Sequence, residues 1–316
     1  MTAEKLKSRL ADVISQKLPL PGGGHTADRH HLLAETARED LSLAKLAEAH
    51  WDAVAILAEA GRTAEPDTLY AVWASEIAGQ AIRLERADGG YEISGSKPFC
   101  SGLGIVDRAL ITVGIPDPRL VEVDLRNNPD QISMDLDVWK AEAFRKTQTG
   151  AITFRELKLS QDSLVGVPGW YLERPGFWHG ACGPGACWAG GVAGLLDFSL
   201  ASKRDDAHTL AHLGAMQASV WGMYSLLKQA GDEIDAAPFD SKAAQIRALQ
   251  LRHLIEQMGT EILQRFARAY GPYPLSMNQE TSLRYQEAGL YMRQSHAERD
   301  LGCLGRLIRQ SKIAEL

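Results

Sequence analysis

A block of β-type sequence between two helical regions constrains the fold of this chain more than any other feature. Between Leu69 and Leu159, short runs alternate polar and apolar residues or carry β-branched residues. The predicted strands are Ala81–Ala87, Tyr91–Ile93, Arg108–Val113, Leu120–Leu125 and Ala151–Phe154. Asp88-Gly89-Gly90 joins the first two, and Asp-Gly supplies the positive φ angles of a tight hairpin turn. No helical pattern intervenes to form parallel crossovers, so the block predicts an antiparallel sheet and argues against a doubly wound nucleotide-binding fold.

The sequence before this block predicts helices. Glu4–Lys17 reads as a short helix that ends at the flexible segment Pro19–Gly24. Thr26 is the predicted N-cap of the next helical region. Apolar residues then recur in steps of three and four from Leu33 to Ala58, which predicts one long helix or two consecutive helices, with Gly61 as the C-cap.

The sequence after the block predicts a helical bundle. Gly and Pro are frequent in Asp162–Gly176, which indicates a boundary between domains. The predicted helices run from Ala186 to about Arg204, from Thr209 to Ala230, through the apolar stripe Leu251–Phe266, from Ser276 to Met292 and from Ser295 to Gln310. The first is rich in small residues, which permit close helix approach. The pattern is typical of an up-and-down bundle.

These patterns predict an α+β fold of three parts. The parts are a short N-terminal helical region (residues 1–65), a middle antiparallel β domain (66–165) and a C-terminal helical bundle (166–316).

Composition excludes several classes of protein. The chain has 316 residues, of which 45% are hydrophobic and 23% charged, as in ordinary globular proteins. Its net charge is -6 and Lys and Arg are not clustered, so nucleic acid and anionic membranes are not expected as partners. The four cysteines are too few and too scattered for a disulfide scaffold, which favours a reducing compartment. The sequence contains neither a signal peptide nor about 18 uninterrupted apolar residues, so we expect a cytoplasmic protein.

The order of the three parts and the motifs at their joints resemble the acyl-CoA dehydrogenase superfamily. In the family a Gly-x-Lys is followed by Trp, an apolar residue and Thr or Ser, and here Gly95-Ser96-Lys97 is followed, after Pro98, by Phe99, Cys100 and Ser101. The other similar segments are Ala34–Ala44, Thr149–Phe154, Leu164–Gly166 and Arg265–Gly271. The resemblance covers most of the chain, from about Thr26 to Arg309.

The resemblance implies an FAD bound between the β domain and the bundle. Phe99 takes the place of the family Trp that flanks the flavin, and Ser101 that of the hydroxyl at the flavin edge, where it would donate to a flavin nitrogen. The segment Val72-Trp73-Ala74 falls where the family's flavin-binding strand ends. The residues alone allow a plainer interpretation: Phe99 as sheet packing, Ser101 as part of a turn and Trp73 as core.

Departures from the family pattern are informative. Only Ser75–Gly79 remains of the Gly-rich loop that normally follows the first strand, and the helical first domain is abbreviated. Tyr270-Gly271-Pro272 stands where the family has glycines that contact the pyrophosphate; Gly271 permits close approach, while the proline removes a donor amide. Arg204 is the candidate for the family's phosphate-binding arginine.

The resemblance also indicates which residue would act as the catalytic base in the reaction of the family. Acyl-CoA dehydrogenases remove an α proton with a carboxylate while the β hydrogen leaves as hydride to the flavin. The alignment places Gln294 at the position of that C-terminal Glu, and an amide cannot accept the proton. Either the base comes from elsewhere or the chain does not perform this oxidation.

A second comparison, with flavin-dependent hydroxylases of the same fold, fits Ser295–Glu298. These enzymes carry a Ser/Thr-His-Ala-like segment there, and its histidine helps to transfer protons during oxygenation, as His296 would. The alternative is structural, with Ser295 as the N-cap of the last helix and Glu298 completing a capping box. Gln294, His296 and Glu298 are thus the candidate catalytic residues, and Ser295 a candidate flavin contact.

No metal site is predicted. His179, Cys182 and Cys187 lie close in sequence but lack a fourth ligand at a recognisable spacing. His208 and His212 have the i, i+4 spacing of a metal site without the Glu of a zincin.

Three functions follow in order of preference. The first is an FAD-dependent oxidoreductase of acyl-CoA dehydrogenase type, acting on an acyl thioester or a related small metabolite. The second is a flavin-dependent monooxygenase of the same fold that uses His296, and the third is a non-catalytic relative that has lost FAD. The resemblance implies a homodimer or homotetramer. The substrate and the electron acceptor are not evident from the sequence.

Overall fold

The computed structural model describes residues 3–75, 81–114, 118–127 and 129–314. The helices are α1 (Ala3–Ile14), α2 (Thr26–Glu39), α3 (Leu41–Glu59), α4 (Trp170–Glu173), α5 (Pro175–Gly180), α6 (Cys182–Ala201), α7 (Ala207–Ala236), α8 (Ser241–Tyr270), α9 (Pro272–Met277), α10 (Gln279–Tyr291) and α11 (Glu298–Ala314). The strands are β1 (Tyr70–Trp73), β2 (Arg83–Ala87), β3 (Gly90–Cys100), β4 (Arg108–Val113), β5 (Arg119–Asp124), β6 (Ile132–Asp135), β7 (Gly150–Ser160) and β8 (Leu164–Val165). Most of the loop predicted at Ser75–Gly79 lies outside the described residues.

The chain divides into two compact units. The β unit comprises Met1–Lys17 and Leu46–Phe177, and the helical unit comprises Leu18–Lys45 and Trp178–Leu316. The boundary between the units falls inside α3, so the predicted N-terminal region, residues 1–65, contributes to both units.

The β unit contains two four-stranded sheets. Their strand orders are β1-β4-β5-β8 and β2-β3-β7-β6. Strands β1 and β4 are parallel, whereas the other pairings are antiparallel. The prediction of a purely antiparallel sheet is therefore wrong at one pair. A parallel pair needs a long connection, and here that connection runs through β2 and β3 rather than through a helix.

The predicted hairpin between β2 and β3 is confirmed. Ala87 pairs with Gly90 across the two-residue turn Asp88-Gly89, and Gly89 has φ 82°. Strands β3 and β7 are each 11 residues long, much longer than the sequence predicted. Register shifts occur in their pairing between Ile93 and Gly95 and between Lys97 and Cys100, which interrupts the regular alternation of side chains.

The core of the β unit lies between α3 and the first sheet. Buried apolar residues of α3 pack against the inner face of this sheet; they include Ala53, Ile56 and Leu57 of the helix and Tyr70, Leu110, Leu120 and Val165 of the sheet. The Tyr70 hydroxyl donates to the Glu122 carboxylate at 2.9 Å, and Arg62 and Arg108 pair with the same carboxylate. Burial raises the pKa of Tyr70 to about 12. These contacts fix the start of β1.

Glycine permits close packing of α2 in the helical unit. A Cβ atom on Gly190 of α6 would overlap the carbonyl oxygen of Ala34 on α2, and one on Gly231 of α7 would overlap the backbone at Ala27. A Cβ on Gly191 would lie 2.8 Å from a methyl carbon of Leu41. The predicted role of the small residues of α6 in close helix approach is confirmed.

The segment before α2 is fixed by an aspartate rather than by a helix cap. The Asp235 carboxylate of α7 accepts hydrogen bonds from the Gly24 amide at 3.0 Å, the Thr26 amide at 2.8 Å and the Thr26 hydroxyl at 2.6 Å. Helix α2 begins at Thr26 with His25 at the N-cap position, and His25 makes no side-chain cap bond. The prediction that Thr26 is the N-cap is therefore wrong, because its hydroxyl donates to Asp235.

None of the helices in the described part of the chain is long and apolar enough to cross a membrane.

We predict that Gly190→Ala destabilises the helical unit. Its Cβ would overlap a main-chain carbonyl, which cannot rotate away, so the cost should be about 1–3 kcal/mol or more. Gly214→Ala in α7 is the matched control, because a Cβ at that position meets nothing within 4 Å and alanine favours a helix by about 1 kcal/mol. Chemical denaturation measures both variants. Equal stability of the two would contradict the close approach of α2 and α6.

Buried histidine makes stability depend on pH. His30 is buried, its Nδ1 lies 2.9 Å from the Leu227 carbonyl, and burial lowers its pKa from 6.5 to about 4. Because the unfolded state binds the proton more tightly, His30 stabilises the fold fully above pH 6.5, and this contribution is lost as the pH falls towards 4.

His30→Gln keeps a donor for the carbonyl but does not titrate, so the fall in unfolding free energy between pH 7 and pH 5 should be smaller than in the wild type. The whole window is worth on the order of 3 kcal/mol. His31→Gln, the same substitution at the exposed neighbouring position, is the matched control, and equal pH profiles for the two variants would contradict the assignment to His30.

Candidate functional site

The end of β1 meets the segment after β3 in the β unit. Trp73 is buried, and its Nε1 donates to the Ser101 carbonyl at 3.0 Å. Val72 and Ala74 are half-buried on either side of it. Five residues of this unit are predicted to contact the flavin, and four of them, Val72, Trp73, Ala74 and Ser101, lie in two short segments. The hydrogen bond from Trp73 to Ser101 joins these two segments.

Ser101 begins a chain of hydroxyl groups. Its Oγ lies 2.8 Å from Thr149 Oγ1, which lies 2.8 Å from Thr147 Oγ1. The Thr147 hydroxyl in turn donates to the Phe144 carbonyl at 2.7 Å, and both threonines are buried. Sequence reasoning missed Thr147 and Thr149 as site residues, because the pairing joins positions 48 apart and only the Thr-x-Thr spacing before β7 hints at it.

Backbone strain collects around these hydroxyls. Phe99 has φ 59°, Phe144 φ 59° and Gln148 φ 48°, values in the left-handed region that residues other than Gly and Asn seldom adopt. Phe99 lies in the register shift between Lys97 and Cys100. Non-glycine residues in this conformation each cost about 1–3 kcal/mol and are typical of functional sites. The strain therefore favours a binding role for this part of the β unit, residues 99–101 and 139–149, which we call the corner.

The side chain of Phe99 is exposed. It is 54% accessible, and its ring meets the Trp139 ring edge to face, with 6.5 Å between the centroids. An ordinary packing residue of a sheet would be covered, so the interpretation of Phe99 as sheet packing is not supported. Trp139 is a second aromatic residue of this corner that the sequence did not indicate.

Lys97 of the Gly-x-Lys motif is buried. Its ammonium group donates to the Thr112 carbonyl at 3.1 Å and to the Thr112 hydroxyl at 3.0 Å. Gly95 has φ 128°, and a Cβ there would lie 2.9 Å from the Ala81 carbonyl. Both motif residues thus hold β3 in place beside β4 and β2.

In the helical unit, two predicted residues line a cavity. The Arg204 guanidinium lies over the Tyr270 ring at 5.7 Å and donates to the Ala269 carbonyl at 2.8 Å. The cavity has a volume of about 310 Å³ and is lined by Phe198, Ala201, Ser202, Arg204, Tyr270, Tyr273 and Pro274. Aromatic walls with one guanidinium suit a flat ring system that carries an anionic group.

Gly271 is required by its backbone conformation. Its φ is 65° and its ψ is -159°, a combination that is essentially restricted to glycine. A Cβ at this position would meet no atom within 4 Å, so close packing within the chain does not require glycine. Pro272 follows as the first residue of α9, where a missing amide proton costs nothing.

The turn between α10 and α11 carries the candidate catalytic residues. Arg252 of α8 donates to the carbonyls of Ala181 at 2.9 Å and Gln294 at 3.0 Å, and its guanidinium lies 4.6 Å from the Trp188 ring centroid. Arg293 pairs with Glu256 of α8. The backbone of the turn is therefore held on α8, while the side chains of Gln294 and His296 are exposed.

The predicted capping box at Ser295 and Glu298 does not form. Helix α11 begins at Glu298, and the Ser295 hydroxyl accepts only a long bond of 3.4 Å from the Ala297 amide. Asp300 takes the capping role instead, because its carboxylate accepts from the His296 amide at 3.1 Å. The same carboxylate lies 3.6 Å from His296 Nδ1. An aspartate one turn into the helix has replaced the predicted glutamate.

The remaining polar residues have structural roles. Asp206 is the N-cap of α7, and its side chain accepts hydrogen bonds from the amides of His208 and Thr209. His179 bonds to the Pro238 carbonyl at 2.8 Å. Burial raises the pKa of the Cys100 and Cys182 thiols to about 12. No three metal-binding side chains come together among the residues that the structure describes.

Comparison of the sequence with protein-family models and with curated proteins gave no match. Solved structures are similar in fold. Dibenzothiophene monooxygenase TdsC from Paenibacillus sp. A11-2 is 17% identical with a TM-score of 0.76, over 90% of this chain and 84% of that one. KijD3 in complex with FMN and a dTDP-amino-keto sugar is 14% identical with a TM-score of 0.78, over 92% and 81%.

XiaF from Streptomyces sp., in complex with FADH2 and glycerol, is 13% identical with a TM-score of 0.70, over 99% of this chain and 96% of that one. The chain has the acyl-CoA dehydrogenase fold. The predicted fold class is therefore confirmed. Identities this low establish the acyl-CoA dehydrogenase fold alone, and activity must be argued from the residues of the site.

We predict that Arg252→Met loosens the turn between α10 and α11. Methionine can cover the Trp188 ring but cannot donate to the two carbonyls, so stability should fall by about 1–3 kcal/mol. Hydrogen exchange of the Ser295 and His296 amides, which bond to the Met292 carbonyl and to Asp300, should become faster. Arg265→Met on the same helix is the control, because Arg265 bonds to Glu261 one turn away. Unchanged exchange in Arg252→Met would show that this arginine does not hold the turn.

Proposed function

We propose that this chain is a flavin-dependent oxidoreductase that acts as a monooxygenase on a small organic substrate. The observation that supports this most is the strained corner of the β unit, where an exposed aromatic ring, at Phe99, stands two residues before a hydroxyl, at Ser101, in the chain. These are the positions that the resemblance assigns to the flavin edge.

The residues of each unit fit a flavin. In the β unit, the exposed Phe99 ring offers a face for a planar ring, and Ser101 offers a hydroxyl. In the helical unit, the cavity beside Arg204 and Tyr270 suits a phosphate-bearing tail with an aromatic base, and for this reason we propose FAD. When bound, reduced flavin supplies two electrons to O₂, so that one oxygen atom enters the substrate and the other leaves as water.

Monooxygenation is favoured over dehydrogenation by the residue at position 294. Gln294 carries an amide where a dehydrogenase of this fold needs a carboxylate base. His296, two residues later, is exposed, and its Nδ1 lies 3.6 Å from the Asp300 carboxylate, so the imidazole is accessible to a substrate and is a candidate for proton transfer. TdsC is named as a monooxygenase and a similar structure from Micromonospora carbonacea var. africana as a nitrososynthase, which is in keeping with oxygen chemistry on this fold.

An acyl thioester dehydrogenase is the second candidate. It would need a base other than residue 294, and Glu287 of α10 is a carboxylate for that role. Glu287 is only 2% exposed and accepts a hydrogen bond of 2.5 Å from the Ser42 hydroxyl. Sequence reasoning missed it, because a single Glu on a polar helix has no distinguishing pattern. We also propose a homodimer or homotetramer, by analogy with the family.

Binding and turnover test the proposal together. The purified protein is mixed with FAD and with FMN, each oxidised and photoreduced, and binding is followed by fluorescence. It is then supplied with NADH, a flavin reductase, O₂ and indole as an aromatic probe. We expect binding of FAD in at least one redox state and a product heavier by one oxygen atom. Tight binding of FMN alone would correct the cofactor.

His296→Ala should bind flavin normally and lose oxygenation by 10²-fold or more, the usual contribution of a proton-transfer residue. Bleaching of bound flavin by an acyl-CoA, without reductant and with Glu287→Gln inactive, would support the dehydrogenase instead. A protein that binds neither FAD nor FMN in any redox state would be a non-catalytic relative, and the proposal would be wrong.

A further inference from the structure

The hydroxyl chain in the β unit has a fixed direction. It consists of Ser101, Thr149 and Thr147 and ends at the Phe144 carbonyl, with oxygen separations of 2.8, 2.8 and 2.7 Å. Each hydroxyl has one proton to donate, whereas a carbonyl can only accept. The carbonyl therefore determines where every proton in the chain points.

The direction follows one step at a time. The Thr147 hydroxyl must donate to the Phe144 carbonyl, because the reverse is impossible. Thr147 then has no proton left, so the Thr149 hydroxyl donates to it. Thr149 is likewise committed, so the Ser101 hydroxyl donates to Thr149. Ser101 Oγ is left with lone pairs only, and any further partner must bring a proton of its own.

Burial makes this arrangement difficult to reverse. Thr147 is 0% exposed and Thr149 is 3% exposed, so water does not compete for their hydroxyls. A reversed Thr147 would set two oxygen lone pairs against each other at 2.7 Å in a low-dielectric environment. The expectation that Ser101 donates to a flavin nitrogen is therefore opposed by the hydrogen bonds of this chain.

We propose that Thr147 and Thr149 are positioning residues that make Ser101 an acceptor, and that the site consequently prefers reduced flavin to oxidised flavin. This rests on the proposed function, which places Ser101 beside the flavin ring. Nitrogen N5 of oxidised flavin offers only a lone pair, whereas N5 of reduced flavin carries a hydrogen that it can donate. A site that meets N5 with an acceptor gains a hydrogen bond with the reduced form only.

This preference suits a protein that receives its flavin already reduced. Reduced flavin would bind, react with O₂ beside the substrate and leave more readily once oxidised. One hydrogen bond that is made in one state and opposed in the other corresponds to about a tenfold difference in affinity or more. For a two-electron couple, tenfold tighter binding of the reduced form raises the midpoint potential by about 30 mV.

Thr149→Val tests the proposal, with Thr153→Val as the matched control. Valine keeps the shape of threonine but has no hydroxyl, so in Thr149→Val the Ser101 proton is free to point towards the flavin. Thr153 lies on β7 and its hydroxyl pairs with the Ser96 hydroxyl of β3 at 2.7 Å, so it offers an equivalent hydroxyl pair between the two strands that Ser101 and Thr149 adjoin. Dissociation constants for oxidised and photoreduced FAD are measured anaerobically for each protein.

We expect the wild type and Thr153→Val to bind reduced FAD about tenfold more tightly or better. In Thr149→Val the ratio should fall to within about threefold, mainly through tighter binding of oxidised FAD. Thr147→Val should change the ratio in the same direction, although this buried residue touches no ligand, because it frees Thr149 to donate to Ser101. Thermal denaturation shows whether Thr147→Val folds. If Thr147→Val does not fold, the affinity ratio of Thr149→Val alone tests the proposal.

Two results would overturn the proposal. One is a wild type that binds both redox states equally, and the other is a Thr149→Val ratio equal to that of the wild type. Both are distinct from a failure of the proposed function, in which FAD binds in neither state.

Discussion

The irregularity in β3 is the constraint on which the candidate site depends. In a regular strand, Lys97, Phe99 and Ser101 would all point to the same face, because side chains alternate with a period of two. The register shift between Lys97 and Cys100, with Phe99 at positive φ, separates them. Lys97 becomes buried against Thr112, Phe99 becomes exposed and Ser101 meets Thr149. The strain of one residue thus gives three neighbouring side chains three different environments.

The helical unit depends on close contact of a different kind. Helix α2 lies against α6 at a distance that only glycine permits at position 190. A hydrogen bond and an ion pair then hold the two ends of α2. Asp235 binds the start of α2, and Arg38 near its end pairs with Asp197 of α6 at 2.5 Å. With α2 fixed at both ends, α6 has a constant partner along its length, and the cavity at Arg204 follows directly after the end of α6.

The sequence predicted much of the architecture because regular elements leave regular patterns. The turn at Asp88-Gly89, the bounds of β4 and the long stripe of α8 were all visible in it. The parallel pairing of β1 with β4 was not visible in the sequence. Parallel strands are usually connected through a helix, whereas here a hairpin provides the crossover. The lengths of β3 and β7 were underestimated, since bulges break the alternation that marks a strand.

The site was only partly predictable. The resemblance pointed to Trp73, Ser101, Arg204 and Tyr270 as site residues. The structure brings Trp73 into contact with Ser101, and Arg204 into contact with Tyr270. Local patterns gave the wrong partner where two carboxylates compete, as at Glu298 and Asp300. The threonines behind Ser101 were invisible, because a hydrogen bond between distant segments leaves no periodic trace. The roles of Gln294, Ser295, His296 and Glu298 stay predictions.

The burial of Cys100 has a chemical consequence for a protein of this proposed kind. Reduced flavin that meets oxygen without a substrate releases hydrogen peroxide, and peroxide oxidises cysteine through the thiolate. Cys100 adjoins Phe99, yet its thiol has a pKa of about 12 because of burial and bonds to the Lys97 carbonyl at 3.3 Å. At neutral pH it stays protonated and covered. The strand beside the proposed flavin is thereby protected from the damage that wasted turnovers would cause.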